Sequence, residues 1–214
     1  MSTKTMQDRH RSAEDRLAAL ERRIDDVRGS ARGDREKANR SIERRLDAVR
    51  AKDAEIRTDL RQMAEEDDAV WRAYFDELDR ELDELDAEVV VMESQLAASE
   101  AEDWNAFERA IEQELEAYDR QLEAARERVA RAKDDARRRS TEAVEHAREK
   151  AQTAGETLRR VRADAARPWR SMRDEIRADM DAADAAMVDA IAVVEADLEA
   201  ERTNAHGWRS DREY

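Results

Sequence analysis

Apolar residues recur along this chain at steps of three and four, the spacing that places them on one face of an α-helix. The first such stripe predicts a short N-terminal helix that is capped by Ser12. Two glycines between residues 29 and 34 should end this helix, so we expect residues 1–33 to form a short helix and a linker. The stripe consists of Leu17, Leu20, Ile24 and Val27.

A longer stripe predicts one continuous helix over residues 34–98. At 1.5 Å per residue, such a helix would be roughly 90 Å long. Near residue 100 the stripe becomes polar, and Ser99 with Glu102 has the pattern of a helix-capping box. We expect the chain to reverse there, because bulky residues on the two sides then face each other. Such pairs include Leu85 with Leu115 and Leu78 with Leu122.

The second half of the chain has a different period. Over residues 158–198 the apolar positions repeat with steps of three, four and four, an eleven-residue period that is typical of a nearly straight helix. This stripe crosses Pro168, the single proline of the chain, without losing phase. Because no good N-cap residue precedes it, we expect the helix to continue and kink at Pro168, with Trp169 covering the kink. These features predict a long return helix over 99–203 and a flexible tail over 204–214.

The predicted fold class is therefore all-α: an elongated antiparallel helical hairpin or coiled coil with a short N-terminal helix. Composition agrees, because 44% of the residues are charged and the chain holds only four glycines and one proline.

Charge is distributed in blocks of alternating sign. Residues 9–61 carry 16 basic and 12 acidic residues, whereas residues 65–103 carry 2 and 16. Residues 126–173 carry 15 basic and 8 acidic residues, and residues 174–201 carry 1 basic and 10 acidic residues. Such blocks either form solvated faces or bias which segments lie side by side.

The sequence offers no motif of a reactive site. It lacks cysteine, which excludes disulfides and thiolate chemistry. Its histidines are scattered, and the pair Glu142 and His146 is interpreted as a solvent-facing helix pair. Glycine-rich phosphate loops and nucleophile motifs are missing as well. We therefore expect no catalytic activity, no cofactor and no metal site.

Nucleic acid and membrane partners are weaker candidates. The basic residues between 126 and 139 are interleaved with acidic ones, and the whole chain carries a net charge of −15, which repels polyanions. The apolar runs are far shorter than the roughly 20 residues of a spanning helix, and residues 1–10 have no apolar signal segment. A cytoplasmic protein is the expectation.

The eleven-residue period resembles that of lipid-surface helices in apolipoproteins and of desiccation-linked late-embryogenesis proteins. Residues 129–165 resemble the second group in composition as well. This resemblance implies an alternative function: a peripheral lipid-surface protein or a stress protectant.

Large apolar residues between positions 70 and 122 occupy more than one helix face, which is wider than a two-helix seam requires. They are either buried within the chain or covered by a second copy in a homodimer; a different protein partner is the remaining alternative. The sequence therefore predicts a non-enzymatic coiled-coil structural or scaffold protein that self-associates and presents charged helical faces to protein partners. The expected self-association residues are Trp71, Tyr74, Phe75, Leu78, Leu82, Leu85, Val89, Met92, Trp104, Phe107, Ile111, Leu115 and Tyr118.

Overall fold

The computed structural model describes residues 3–31, 36–63, 68–131, 134–164 and 168–210. These residues form α-helices and contain no β-strand, which confirms the all-α prediction. The helices are α1 (Thr3–Ala31), α2 (Glu36–Met63), α3 (Asp68–Glu100), α4 (Trp104–Arg131), α5 (Asp134–Ala163) and α6 (Trp169–Ser210). The chain divides into two compact units, Met1–Ala117 and Tyr118–Tyr214, with the boundary inside α4.

In the first unit, α1 and α3 run parallel. Arg16 Nη1 lies 3.4 Å from Asp79 Oδ1, and Arg23 Nη1 lies 2.5 Å from Asp86 Oδ1. Seven residues along α1 therefore correspond to seven residues in the same direction along α3.

By contrast, α2 runs antiparallel to α3. Arg45 forms an ion pair with Glu88, and Lys52 Nζ lies 2.7 Å from Glu84 Oε2. Residue numbers therefore increase along α2 while those of the contacted residues on α3 decrease. The chain reverses between these helices, so the predicted continuous helix over 34–98 is wrong.

Apolar stripes of α1, α2 and α3 meet in one buried cluster. Burying these side chains is the main favourable term in forming the unit, at about 25 cal/mol per Å² of apolar surface. The face of each predicted stripe is confirmed, although its partner helices differ from those expected. The cluster contains Leu17, Leu20, Ile24 and Val27 from α1, Ile42, Leu46, Val49, Ile56 and Leu60 from α2, and Phe75, Leu78, Leu82, Leu85, Val89 and Met92 from α3.

The chain reverses near residue 100, as expected. Gln95 Nε2 on α3 donates a hydrogen bond of 3.0 Å to Glu114 Oε1 on α4. These residues would be roughly 28 Å apart on one straight helix.

Asp103 provides the N-cap of α4. Its side-chain Oδ1 accepts a hydrogen bond of 2.9 Å from the Ala106 amide, and its carbonyl accepts one of 3.2 Å from the Phe107 amide. Ser99 instead lies inside α3, where its hydroxyl donates to the Leu96 carbonyl at 2.7 Å. The predicted capping role of Ser99 is therefore wrong.

In the second unit, α5 and α6 run antiparallel. Ser140 Oγ donates to Asp197 Oδ2 at 2.8 Å, and Arg160 forms an ion pair with Glu175. Contacts from both ends of α5 thus reach α6 in reverse order, so the chain turns back between the two helices.

Pro168 stands at this reversal, and the predicted kinked but continuous helix is wrong. α5 ends at Ala163, and Asp164 and Pro168 are both outside helices. The Pro168 carbonyl accepts hydrogen bonds of 3.0 and 3.3 Å from the Ser171 and Met172 amides and so starts α6. A helix start tolerates proline because its missing N–H has no intrahelical partner there.

Both ends of the chain are more helical than expected. α1 begins at Thr3, before the predicted cap at Ser12, and it continues through Gly29, where the backbone is helical rather than left-handed. At the other end, α6 extends to Ser210. The prediction of a loose tail is thus wrong for 204–210, and residues 211–214 lie outside the described residues.

Two valines on α6 test the buried stripe of the second unit. Val194 is 2% exposed and Val188 is 42% exposed. We expect Val194→Ala to lower the free energy of unfolding by about 2 kcal/mol, because it removes two buried methyl groups and leaves a cavity. The matched change Val188→Ala should stay within about 0.5 kcal/mol of wild type. Urea unfolding measures both variants. An equal loss of unfolding free energy in the two would contradict the burial of this stripe.

Candidate functional site

The largest group of predicted self-association residues lies inside the first unit. On α3, Phe75, Leu78, Leu82, Leu85, Val89 and Met92 are each at most 2% exposed. They belong to the cluster formed with α1 and α2, and Tyr74 packs partly buried against it. Helices of the same chain therefore cover the apolar surface that motivated the prediction.

The remaining predicted residues are distributed over α3, α4 and both units. Phe107 and Ile111 are buried, whereas Trp104 and Leu115 are half-buried. The rings of Trp104 and Phe107 are tilted, with their centroids 6.2 Å apart. Tyr118 belongs to the second unit, and the Trp71 side chain lies outside the described residues. The predicted residues other than Trp71 thus divide between the two units.

Buried acidic residues of α6 hold the second unit together. The Tyr118 hydroxyl of α4 donates a hydrogen bond of 2.9 Å to Asp184 Oδ1, and both side chains are buried. Asp197 accepts bonds from Ser140 and Arg139 of α5. Since a buried carboxylate is stable only with such donors, these contacts determine which faces of the helices meet. Neither acid stands out in the sequence pattern, since both belong to the acidic block over 174–201.

Arg23 of α1 contacts two acidic residues of α3 in the first unit. Its Nε donates to Glu93 Oε1 at 2.8 Å and its Nη2 to Glu93 Oε2 at 2.7 Å, while Nη1 reaches Asp86. The two bonds to Glu93 raise the pKa of the guanidinium, burial opposes this effect, and Asp86 adds to it. This bidentate geometry is the strong form of an arginine–carboxylate pair.

An acidic group lies at the α2–α3 contact. Burial raises the pKa of Glu81, and Glu77, Asp59 and Glu55 raise it further, while Lys52 acts in the opposite direction. Burial also raises the pKa of the Tyr74 hydroxyl, and the negative charges of Asp59 and Glu81 raise it further. The carboxylates of this group therefore repel one another at neutral pH.

A cavity of about 310 Å³ lies between α4 and α5. Arg126 Nη2 lies 2.9 Å from Glu145 Oε1, and Arg137 Nη2 donates to the Ala130 carbonyl at 3.0 Å. Both arginines are thus engaged with the protein itself. The lining residues are Arg126, Val129, Ala130, Arg137, Thr141, Val144 and Glu145.

The pair Glu142 and His146 lies on the exposed face of α5, as expected. Both residues line a shallow surface depression with Glu145, Arg148, Glu149 and Gln152. Across the described ranges, no group of three or more histidine, aspartate or glutamate side chains is arranged to hold a metal ion.

None of the helices in the part of the chain that the structure describes is both long and apolar enough to cross a membrane. Comparison of the chain with family models, with curated proteins and with solved structures found no match.

Two glutamates of α3 provide a test of the acidic group. We expect Glu81→Gln to stabilise the protein near neutral pH, because it removes a partly buried charge among other carboxylates. The raised pKa of Glu81 means that its contribution to stability is present below the unfolded value and is lost as pH rises through the folded value. The benefit of Glu81→Gln should therefore vanish at about pH 4.

Glu84→Gln is the matched change, three residues away on the same helix. Glu84 pairs with Lys52 at 2.7 Å, so this substitution should destabilise the protein by about 1 kcal/mol near neutral pH. Urea unfolding of both variants at the two pH values gives the comparison. Destabilisation by Glu81→Gln near neutral pH would show that the acidic group is not repulsive.

Ser140 and Thr141 test the buried hydrogen bond to Asp197. Ser140→Ala should lower the free energy of unfolding by about 1–3 kcal/mol, because the buried Asp197 carboxylate loses a donor. Thr141→Ala should change it by less than about 0.5 kcal/mol, since this exposed hydroxyl only donates to the Arg137 carbonyl of its own helix. Thermal unfolding followed by circular dichroism measures both, and equal effects would argue against the buried bond.

Proposed function

We propose that this chain is a non-enzymatic helical structural or scaffold protein that self-associates and presents charged helix faces to protein partners. The observation that carries the proposal is the separation between a closed apolar interior and charged outer faces. Among the residues whose side chains the structure describes, Val188 is the one large hydrophobic residue that is exposed to solvent.

The exposed faces differ in sign within the second unit. The outward face of α6 carries Asp181, Asp189 and Glu195, whereas α5 carries exposed Arg137 and Arg138 near its start. Inside both units, basic helices already pack against acidic helices through ion pairs. The proposal extends this mode of contact to helices of other chains, where charge complementarity sets the rate of association and the choice of partner.

Self-association is the second part of the proposal. The apolar residues from Phe75 to Met92 contact α1 and α2 of their own chain. A second copy that contacts them must therefore replace one of these helices. Simple docking of two closed first units through this surface would leave the apolar residues out of the contact.

The alternative, a lipid-surface or protectant protein, needs a free apolar stripe on α6. In the structure Met172, Ile176, Met180, Met187 and Val194 of this stripe are buried. A lipid surface would have to open the contact between α5 and α6 to reach them. We therefore place the scaffold function first.

One experiment separates the two functions. A scaffold protein should be strongly helical in buffer and should unfold cooperatively at a temperature that rises with protein concentration, because association stabilises the folded chain. Circular dichroism melts at two concentrations, with and without anionic lipid vesicles, measure this. Low helicity in buffer with a large increase on vesicles would instead support the lipid-surface function and overturn the proposal.

A further inference from the structure

The cavity of about 310 Å³ between α4 and α5 combines apolar walls with cationic groups. Val129 of α4 and Val144 of α5 line it, and both side chains are buried. Arg126 and Arg137 also line it, one from each helix. Apolar walls with a small number of polar groups are the usual composition of a small-molecule site.

The contact between Arg126 and Glu145 shows which chemical group suits this cavity. Arg126 Nη2 lies 2.9 Å from Glu145 Oε1, so a carboxylate of the chain itself occupies the guanidinium. Among the described residues that line the cavity, two are basic and one is acidic. The end of α4 and the start of α5 carry partial charges of opposite sign, so the side chains decide the sign of the local charge. An anion is therefore the complementary ligand.

Glu145 is a replaceable partner of Arg126. Its side chain is 55% exposed, and an exposed ion pair of this kind contributes little to stability. On its other side, Glu145 Oε2 lies 3.9 Å from Arg148 Nη1 of the same helix. Glu145 thus keeps a cationic neighbour when another carboxylate takes its place on Arg126.

Arg137 is held at the cavity by the last turn of α4. Its Nη2 donates a hydrogen bond of 3.0 Å to the Ala130 carbonyl. This bond fixes the position of the guanidinium, and the positive charge stays beside the apolar walls. A lower local dielectric strengthens its attraction to an anion there.

From these observations we infer that the cavity between α4 and α5 binds a small organic carboxylate with a short apolar tail. The ligand carboxylate replaces that of Glu145 on Arg126, and the tail lies against Val129 and Val144. At roughly 30 Å³ per water molecule, the cavity has the volume of about ten waters, which accommodates a carboxylate as small as hexanoate. This binding goes beyond the proposed scaffold function, because it needs only helices of the second unit and no second copy of the chain.

Titration of the full-length, ¹⁵N-labelled protein with hexanoate tests the site at neutral pH and constant ionic strength. We expect saturable shifts of the amide signals of Val129, Thr141 and Val144, which line the cavity. A ligand of this size should have a dissociation constant of about 1–10 mM. Hexanol lacks the carboxylate and acetate lacks the tail, so each should bind about fivefold or more weakly than hexanoate.

A pair of arginine variants tests the role of the guanidinium. Arg126→Gln should raise the dissociation constant of hexanoate by about tenfold, because the carboxylate loses its bidentate partner. Arg159→Gln removes the same charge from an exposed site on α5, where the arginine Nε donates to the Gly155 carbonyl at 3.2 Å. This control should stay within about twofold of wild type. Equal weakening in both variants would show general attraction of anions and overturn the inference.

A pair of glutamate variants tests the exchange of carboxylates. Glu145→Gln should lower the dissociation constant by about threefold or more, because it removes the group that competes for Arg126. Glu149→Gln removes an exposed carboxylate one turn further along α5 and should stay within about twofold of wild type. A merely structural role of Glu145 would not tighten binding. Unchanged or weaker binding by Glu145→Gln would therefore overturn the exchange.

Three further results would contradict the site. These are amide shifts that lie away from the cavity, hexanol that binds as tightly as hexanoate, and no saturation below about 100 mM hexanoate. Circular dichroism melts of each variant establish that the helices are intact, so that a loss of binding reports on the cavity rather than on folding.

Discussion

The arrangement of the helices in each unit depends on ion pairing between basic and acidic helices. In the first unit, α1 and α2 direct Arg23, Arg45 and Lys52 towards acidic residues of α3. In the second unit, α5 directs Arg139 and Arg160 towards α6. Exposed pairs of this kind contribute only about 0–1 kcal/mol each, so apolar burial supplies most of the stability. The charges instead select the partner, because an incorrect pairing would bring the acidic helix against other acids.

The helix faces could be predicted from the sequence, but their partners could not. A 3.6-residue period identifies which side of a helix is buried, and Leu17, Ile42 and Leu82 are indeed buried. The stripe, however, keeps its phase across the reversals: Ile24, Ile42, Leu60 and Leu78 follow one another at intervals of 18 residues. A single long helix and a folded bundle therefore have the same apolar pattern. The charge blocks contained the missing information, since residues 9–61 are basic and residues 65–103 are acidic.

For the candidate site, too, the sequence predicted which residues are covered but not what covers them. The sequence identified Phe75, Leu82 and Tyr118 as residues that need a covering surface, and the structure buries all three within the chain. It did not identify which surface covers them, because apolar contacts are non-directional. Asp197 was missed although it follows Val194 by three residues on the buried side of α6. Pro168 was misread because the stripe remains in phase on both sides of the reversal, so the pattern gave no sign of a helix end there.

The acidic residues of α3 form a ladder with steps of seven. Asp79, Asp86, Glu93 and Glu100 succeed one another at this interval, as do Arg16 and Arg23 on α1. A slide of α1 by one rung, about 10.5 Å, would again place both arginines opposite acids. Asp83 breaks this repeat, because Arg16 Nη2 lies 2.5 Å from its Oδ1 and the corresponding position one rung further on is Val90. Arg9 adds a second distinction, because its guanidinium lies 5.3 Å from the centre of the Phe75 ring and would meet an aliphatic side chain one rung further on. One carboxylate and one aromatic ring therefore fix the position of α1 along α3.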